Sequence, residues 1–455
     1  MALAQEIERK IEDFRELGIP KYIPRKVKLQ SVENMVSTII GARRAGKSFR
    51  AMQAADEMAA HRIISSVEQV CMMDFDNPAM SNMKAQELNL IQQIFLKLNP
   101  EFDLKTPLVF ILDEIHKIHG WEEYVIDLSG NPNWKVIVTG SSSKLLRDDL
   151  ATELRGKAIS STVYPLDFSE FLEFKNFGYR PGSTKGQAEI RRLFEEYLKW
   201  GGYPAVANAE EYTREALLRE YFDTMILRDI IQRYNMSKPQ QCIHLYNYLL
   251  SNIGKAHTLQ SAFRYLKGGG FSTSRDAVRE YFRWAEDSWL LFMVPIYSNS
   301  LKEQQRNYKK IYCVDWGLAN RNSFVWDGSY SSALENMVFL HLYRNWNRVH
   351  YYLTRKKRKE VDFVVADRDG KPVMAVQVCM DISNQETLNR ELESIVTTAK
   401  YFGINENLII THNQEKEFYS QGVSVKATPA WKWMLATTSN QEPVPRNEQR
   451  ECLKS

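Results

Sequence analysis

One short stretch, "GARRAGKSF" at residues 41–49, limits what this chain can fold into more than any other. Gly41, Gly46, Lys47 and Ser48 have the G-x-x-x-x-G-K-[ST] spacing of a phosphate-binding loop. Across Gly41, Ala42, Arg43, Arg44, Ala45, Gly46, Lys47 and Ser48, that spacing has a chemical purpose. Glycines let backbone N–H groups wrap a phosphate, the lysine reaches the β- and γ-phosphates, and the serine hydroxyl ligates Mg²⁺. The flanks agree. Val36-Ser37-Thr38-Ile39-Ile40 is apolar and β-branched and reads as a buried strand. "SFRAMQAADEMAA" lacks Gly and Pro and reads as a helix. Strand, loop and helix place bound phosphates at a helix N-terminus, where unpaired N–H groups and the helix dipole favour anions. The expected ligand is ATP or GTP with Mg²⁺.

A second element, "PLVFILDEIHKIHGW", carries a continuous apolar run from Leu108 to Leu112, as a strand covered on both faces requires. It ends in Asp113 and Glu114. Alone, such a pair is a solvated strand end. Behind a phosphate loop it predicts a metal-holding aspartate (with Ser48 as the second metal ligand) and a glutamate that polarises the attacking water. A third strand, "WKVIVT" from Trp134 to Thr139, leads into Gly140-Ser141-Ser142-Ser143, and Ser141 is the expected γ-phosphate sensor. The predicted catalytic set therefore includes Lys47, Glu114 and Ser141.

A length of 455 residues allows two to four domains with separate cores. With 44% hydrophobic and 25% charged residues the composition is that of a globular protein, and no 18-residue apolar run predicts a membrane span. The opening "MALAQEIERKIEDFRELG" reads as a charged amphipathic helix rather than a signal peptide. Five scattered cysteines (Cys71, Cys242, Cys313, Cys379, Cys452) form no C-x-x-C pair, so reduced thiols and a cytoplasmic location are expected. A net charge of +4 neither demands nor excludes nucleic acid.

Along the chain, residues 1–30 read as a helical lead-in ending at Pro20 and Pro24, and residues 31–165 alternate strand and helix as a parallel sheet does. "CMMDFDNP" (71–78) supplies a further strand with acidic residues at its end. Residues 166–240 are helical, with Asp167 and Ser169 as caps and Gly201-Gly202 as a stop, and resemble a helical lid. Residues 241–315 read as three helices and a β-hairpin, the layout of a winged helix. Its third helix carries Ser274, Arg275, Arg279 and Arg283, and its wing carries Lys302, Arg306, Lys309 and Lys310. These cations fit either a DNA-binding face or the solvated surface of a domain that binds protein. Residues 316–435 form a last α/β unit with a basic turn "RKKRK" at 355–359, and the polar tail 436–455 is expected to be disordered. The expected fold is α/β throughout, built on a P-loop core.

Several stretches in order, "IIGARRAGKS", "FILDEIHKIHGW", "VIVTGSSSKLL", "LRGKAISSTVYPLDFSEFL", "YLKWGGYPAV", "ILRDIIQRYN" and "KEVDFVV", carry a family likeness. Over about residues 20–430 the chain resembles archaeal and bacterial ATP-binding proteins that join an AAA-type ATPase core to a winged helix and a restriction-endonuclease-like (DUF4143) domain. "PLDFSEFL" and "GGYPAV" are the more specific stretches. The resemblance implies an additional-strand ATPase that binds ATP and Mg²⁺ and works as a homo-oligomer, such as a hexameric ring, with sites between subunits. It also implies an arginine finger near "LRGK", where Lys157 follows Gly156 and leaves Arg155 as the finger with Arg228 behind it; local pairing of Arg155 is the alternative.

Nucleases of the implied fold present a helix acid, an aspartate and E-x-K on adjacent strands. By resemblance Glu335 and Asp362 match the first two, but Gln377-Val378-Cys379 stands where E-x-K belongs. A neutral amide is a poor Mg²⁺ ligand and a thiol is no cation, so the nuclease site reads as degenerate, with Lys356, Lys357 or Lys359 as possible substitutes. The leading expectation is an oligomeric ATPase acting on DNA in repair, recombination or defence. Two rivals stay open: a regulatory ATPase whose C-terminal domains bind proteins, and an ATP-gated nuclease.

Overall fold

The computed structural model describes residues 2–80, 82–141, 154, 156–178, 183–298, 300–306, 308–323, 330–346, 348–354 and 359–439. The chain divides into two compact units: residues 1–165 with 223–236 and 283–290, and residues 166–222 with 237–282 and 291–455.

The first unit is built on strands β1 (Val36–Gly41), β2 (Val70–Asp74), β3 (Leu108–Asp113), β4 (Trp134–Gly140) and β5 (Ala158–Val163). They pair in parallel in the order β2-β3-β4-β1-β5. Every residue of β1 and β3 is buried, which is why these segments are apolar runs rather than alternating ones. One strand lies between the loop-bearing β1 and the acid-bearing β3, the additional-strand topology of a P-loop core. Because all strands are parallel, Gly41, Asp74, Asp113 and Gly140 end at one edge of the sheet, where ligands of open α/β sheets gather.

The predicted N-terminal helix spans Ala2–Leu17 and buries Ile7 and Ile11 in the core with Phe75 and Phe95. Residues 18–30 form no helix; they run extended over the helix Lys47–Ala60 that follows the loop. Arg50 Nε donates to the Val27 carbonyl (2.6 Å), and Gln53 bonds both the N–H and the carbonyl of Arg25 (2.8 and 3.1 Å). Tyr22 donates to Asp56 at 2.8 Å. Within the helical stretch expected at 166–240, helix Glu211–Thr224 passes into a π-helical stretch, Met225–Gln232. Tyr234 stacks on Trp284 at 4.7 Å and donates to Asp287 at 2.9 Å, and Trp289 meets Tyr164 edge-on at 5.8 Å. These contacts hold segments 223–236 and 283–290 to the first unit.

In the second unit "PLDFSEFL" is a helix start. Asp167 accepts the Glu170 N–H (2.8 Å) and Glu170 accepts the Asp167 N–H (3.1 Å), a reciprocal cap for the helix Phe168–Phe174. "WGGYP" is a lock. Helix Thr184–Trp200 stops at Gly201 (φ 76°), and the Gly202 N–H donates to Asp315 Oδ2 at 2.6 Å. A Cβ at Gly201 would lie 2.0 Å from Asp315 Oδ1, and one at Gly317 2.1 Å from the Trp200 carbonyl oxygen. Burial pushes the Asp315 carboxyl up to about 6 in spite of the bonds from Gly202 and Leu318. We expect Gly201→Ala to combine a left-handed backbone with a clash and to cost roughly 2–3 kcal/mol. Urea unfolding followed by far-UV circular dichroism checks this, and an unchanged midpoint would contradict the lock.

The stretch 237–313 orders as helix Pro239–Leu250, β6 (Ala256–His257), helix Leu259–Gly268, helix Arg275–Asp287, β7 (Leu291–Val294) and β8 (Lys309–Cys313). The three strands form an antiparallel sheet, β6-β8-β7. The polar connection between β7 and β8, the expected wing, contains a helical turn Leu301–Arg306 started by Ser300, whose Oγ and carbonyl accept the N–H groups of Glu303 and Gln304. The last part is a mixed sheet of β9 (Val349–Leu353), β10 (Glu360–Ala366), β11 (Pro372–Cys379), β12 (Glu406–Thr411), β13 (Lys416–Ser420) and β14 (Val423–Pro429), ordered β13-β14-β12-β11-β10-β9. Helices Ser331–Trp346 and Gln385–Phe402 accompany it. The polar tail does not begin at 436: helix Ala430–Ser439 runs on, with Thr437 Oγ1 2.6 Å from His341 Nε2. Residues 440–455 lie outside the described residues.

Candidate active site

The loop between β1 and its helix has the backbone that only its glycines allow. Gly41 has φ 143° and its absent Cβ would lie 2.0 Å from the Val163 carbonyl oxygen, while Gly46 has φ 99°. Lys47 is buried at 5% exposure, with Nζ 3.3 Å from the Ala42 carbonyl oxygen and 3.2 Å from Glu114 Oε1. Ser48 Oγ donates to Asp113 Oδ2 at 2.7 Å, so a hydroxyl and a carboxylate oxygen face each other at the edge of the sheet. Thr139 at the end of β4 donates to Asp113 Oδ1 and accepts the Glu114 N–H at 3.0 Å. Ser141 donates its N–H to Glu114 Oε2 at 3.2 Å. Lys47, Ser48, Asp113, Glu114 and Ser141, singled out from sequence, thus come together in one polar cluster. Arg155 lies outside the described residues.

The charges within this cluster are set by burial and by neighbours. Burial pushes the Asp113 carboxyl up, opposed by the hydrogen bonds from Ser48 and Thr139. Burial would also raise Glu114, but Lys47, His116 and Arg43 outweigh it and hold the carboxyl at about 2. His116 Nδ1 is 3.4 Å from Glu114 Oε2, and burial keeps this imidazole below its ordinary range and so neutral at pH 7. Glu114 itself has a left-handed backbone (φ 56°) that turns its side chain back to the loop.

Four participants escape a reading of sequence motifs: Thr139, His116, Arg25 and Asp229. Arg25, from the extended lead-in, donates to the Ala45 carbonyl within the loop and to the Tyr164 carbonyl at 2.8 Å. Asp229, from the π-helical stretch, takes both Nε and Nη2 of Arg43 at 3.2 Å. Arg43, though part of the loop, is therefore paired to a carboxylate. Its Nη1 is also 3.5 Å from Asp76, which pairs in turn with Lys117 and, at 3.8 Å, with Arg228. Arg228 stands beside the loop of its own chain.

A separate acidic cluster occupies the second unit. Glu335 and Asp362 do lie together, but the cation between them is Lys310, expected from sequence to face solvent on a wing. Alternation along β8 sends Lys310 and Tyr312 to one face, inward. Lys310 is 2% exposed, with Nζ 2.9 Å from Glu335, 2.7 Å from Glu360 and 3.0 Å from Asp362. Desolvation weakens its hold on a proton, yet Glu335, Tyr312, Asp362 and Glu360 keep its pKa well above the ordinary value. Lys359, considered as a substitute, pairs with Glu393 instead, and residues 355–358 lie outside the described residues. On helix Arg275–Asp287, Arg275, Arg279 and Arg283 are all exposed, four residues apart, and Arg279 pairs with Asp276 at 3.1 Å. Cys71, Cys242, Cys313 and Cys379 are free and buried, and among the described residues no helix is long and apolar enough to cross a membrane.

Residues 33–172 match the AAA domain family, residues 191–325 a domain of unknown function (DUF8612) and residues 330–433 the domain of unknown function DUF4143. An uncharacterized protein of Methanocaldococcus jannaschii is 29% identical over 426 residues, 91% of each chain. An uncharacterized protein of Haemophilus influenzae is 29% identical over 378 residues, 81% of this chain and 90% of its own. Among solved structures, a Walker-type ATPase of Pyrococcus abyssi superposes on 70% of this chain and 95% of its own, with 15% identity and a TM-score of 0.41. The chain carries an AAA domain with the P-loop ATPase fold, followed by a DUF4143 domain with a sheet of its own.

Proposed function

We propose that this chain binds and hydrolyses ATP with Mg²⁺ and couples the cycle to DNA. The observation that carries the ATPase reading is the convergence of Lys47, Ser48, Asp113, Glu114 and Ser141 at one sheet edge, with Ser48 and Asp113 2.7 Å apart. Their hydroxyl and carboxylate oxygens are hard donors of the kind Mg²⁺ takes, so the residues fit that ion. When bound, Mg²⁺ supplies positive charge to the β- and γ-phosphate oxygens.

The residues divide the remaining work. Backbone N–H groups of 41–48 wrap the phosphates, and Lys47 exchanges Glu114 for the γ-phosphate. Glu114, no longer paired, orients a water and takes its proton as the water oxygen bonds to the γ-phosphorus. The bond to the β–γ bridging oxygen breaks, and ADP leaves with its electron pair. Thr139 and the Ser141 N–H fix Asp113 and Glu114, and Ser141 reads the γ-phosphate. We read the working form as a homo-oligomer in which an arginine of a second copy, Arg155, completes the site. Measuring ATP turnover against protein concentration, with and without duplex DNA, tests these parts together. Turnover absent at every concentration rejects the ATPase, and turnover independent of concentration and of DNA rejects the coupling.

The DNA reading is supported by the helix–strand–helix–helix–hairpin order of 239–313, a winged-helix layout, and by the exposed arginine row on its third helix. Replacing Arg275, Arg279 and Arg283 together by Ala should weaken binding to all duplex sequences alike. It should also flatten the salt dependence by about one unit of slope per lost phosphate contact. Fluorescence anisotropy across a salt series gives both quantities, and unchanged affinity would remove this face from the interface.

A further inference from the structure

Lys310 poses a problem that nucleotide chemistry does not address: why an ammonium is buried at 2% exposure among three carboxylates. The cluster is assembled from separate elements. Glu335 comes from helix Ser331–Trp346, Glu360 and Asp362 from one face of β10, and Lys310 and Tyr312 from one face of β8. The ammonium donates to Glu335 and Asp362 at 2.9 and 3.0 Å and pairs with Glu360 at 2.7 Å, so three carboxylate oxygens surround one cation.

Further groups close on Glu335 and Asp362. Tyr312 donates to the same Glu335 oxygen at 2.7 Å, and Asp362 Oδ2 accepts the Val378 N–H at 2.9 Å. A Cβ at Gly254 would lie 2.9 Å from Glu335 Oε2, so a backbone closes that side. Gln377 is occupied too: its Oε1 accepts the Asp362 N–H at 3.2 Å and its Nε2 donates to Glu391 at 2.6 Å. Cys379 Sγ turns to the Asp381 carbonyl oxygen at 3.2 Å. Among the described residues no group of three His, Cys, Asp or Glu is disposed to hold a metal ion.

We propose that Lys310 is the resident cation of this cluster, standing where a nuclease of the resembled fold would hold Mg²⁺, so that the DUF4143 domain binds no divalent ion there and cuts no phosphodiester. A divalent ion needs oxygens at about 2.0–2.1 Å (Mg²⁺) or 2.3–2.6 Å (Ca²⁺) and cannot share their centre with an ammonium. Restoring glutamate and lysine at 377 and 379 would therefore leave the centre filled. Removing the ammonium, by contrast, leaves three close carboxylates with no counter-charge, an arrangement that draws in a divalent cation.

The test is Mn²⁺ titration followed by electron paramagnetic resonance on the full chain without nucleotide, with a DNA-cutting assay in Mn²⁺ alongside. The parent should show the same Mn²⁺ binding as Asp362→Asn and should not cut. Lys310→Met, close to lysine in length, should gain one Mn²⁺ site per chain, at least about tenfold tighter than any in the parent, and Asp362→Asn should abolish it. A folded Lys310→Met variant that gains no site overturns the proposal. So does Mn²⁺ bound by the parent and lost with Asp362→Asn, and so does cutting by the parent that Lys310→Met abolishes, which would make Lys310 catalytic. If Lys310→Met does not fold, the comparison of parent with Asp362→Asn still decides.

Discussion

Lys47→Ala will remove ATP binding. The lysine is the loop's buried cation, 5% exposed and within reach of whatever the loop wraps. Arg43, the nearest alternative, is held by two bonds to Asp229. Truncating one partner of a desolvated charge pair costs about 2–5 kcal/mol, or roughly 30- to 5,000-fold in affinity. Isothermal titration of Mg²⁺·ATP into a variant with parent-like circular dichroism measures the loss, and parent-like affinity would end the phosphate-loop assignment.

Glu114→Gln will separate binding from turnover. The amide keeps the shape but cannot accept the proton of the attacking water, so kcat should fall by about 10²–10⁴. Affinity should rise, because in the nucleotide-free protein Lys47 is held 3.2 Å from Glu114 and the variant releases it. A pH signature accompanies this change. Glu114 is held at about 2 against an ordinary 4.5, so its ionised form stabilises the nucleotide-free fold above pH 4.5 and loses that effect as pH falls toward 2. The variant should therefore melt below the parent at pH 7, with the gap closing under acid. Single-turnover kinetics, ATP titration and melting curves measure the three effects. Normal kcat would assign the water to another residue, and equal melting at pH 7 would deny the ion pair any weight.

What could be read from sequence divides along physical lines. The loop, Asp113 and Glu114 were legible because their chemistry is local: a phosphate needs those residue types at that spacing, and a buried parallel strand must be an apolar run. The role of Thr139 was not, because it depends on β4 lying between β1 and β3, which is a fact of pairing order. Asp229 meets Arg43 across 186 positions, and no local pattern marks it. Lys310 misled for a different reason. In "KKIYCVD" two adjacent lysines look equally exposed, a strand sends neighbours to opposite faces, and both Ile311 and Tyr312 are buried, so no local pattern marks which lysine goes inward. Gly201 and Gly202 stood out as a helix stop, but their need for Asp315 appears only where the chain folds back on them.

The loop's partner Asp229 lies in a segment that the chain reaches only after leaving the first unit and returning to it. This has a consequence for the order of synthesis. When residue 165 leaves the ribosome the parallel sheet is complete and Asp76 is at hand for Arg43, but Asp229 and the Trp289 partner of Tyr164 have still to be made. At roughly 5–20 residues per second, many seconds pass before residues 223–236 and 283–290 arrive. The nascent chain spends that interval with Arg43 short of the two bonds that Asp229 later supplies. Nucleotide present during translation would find a differently charged loop from the one that the finished chain offers.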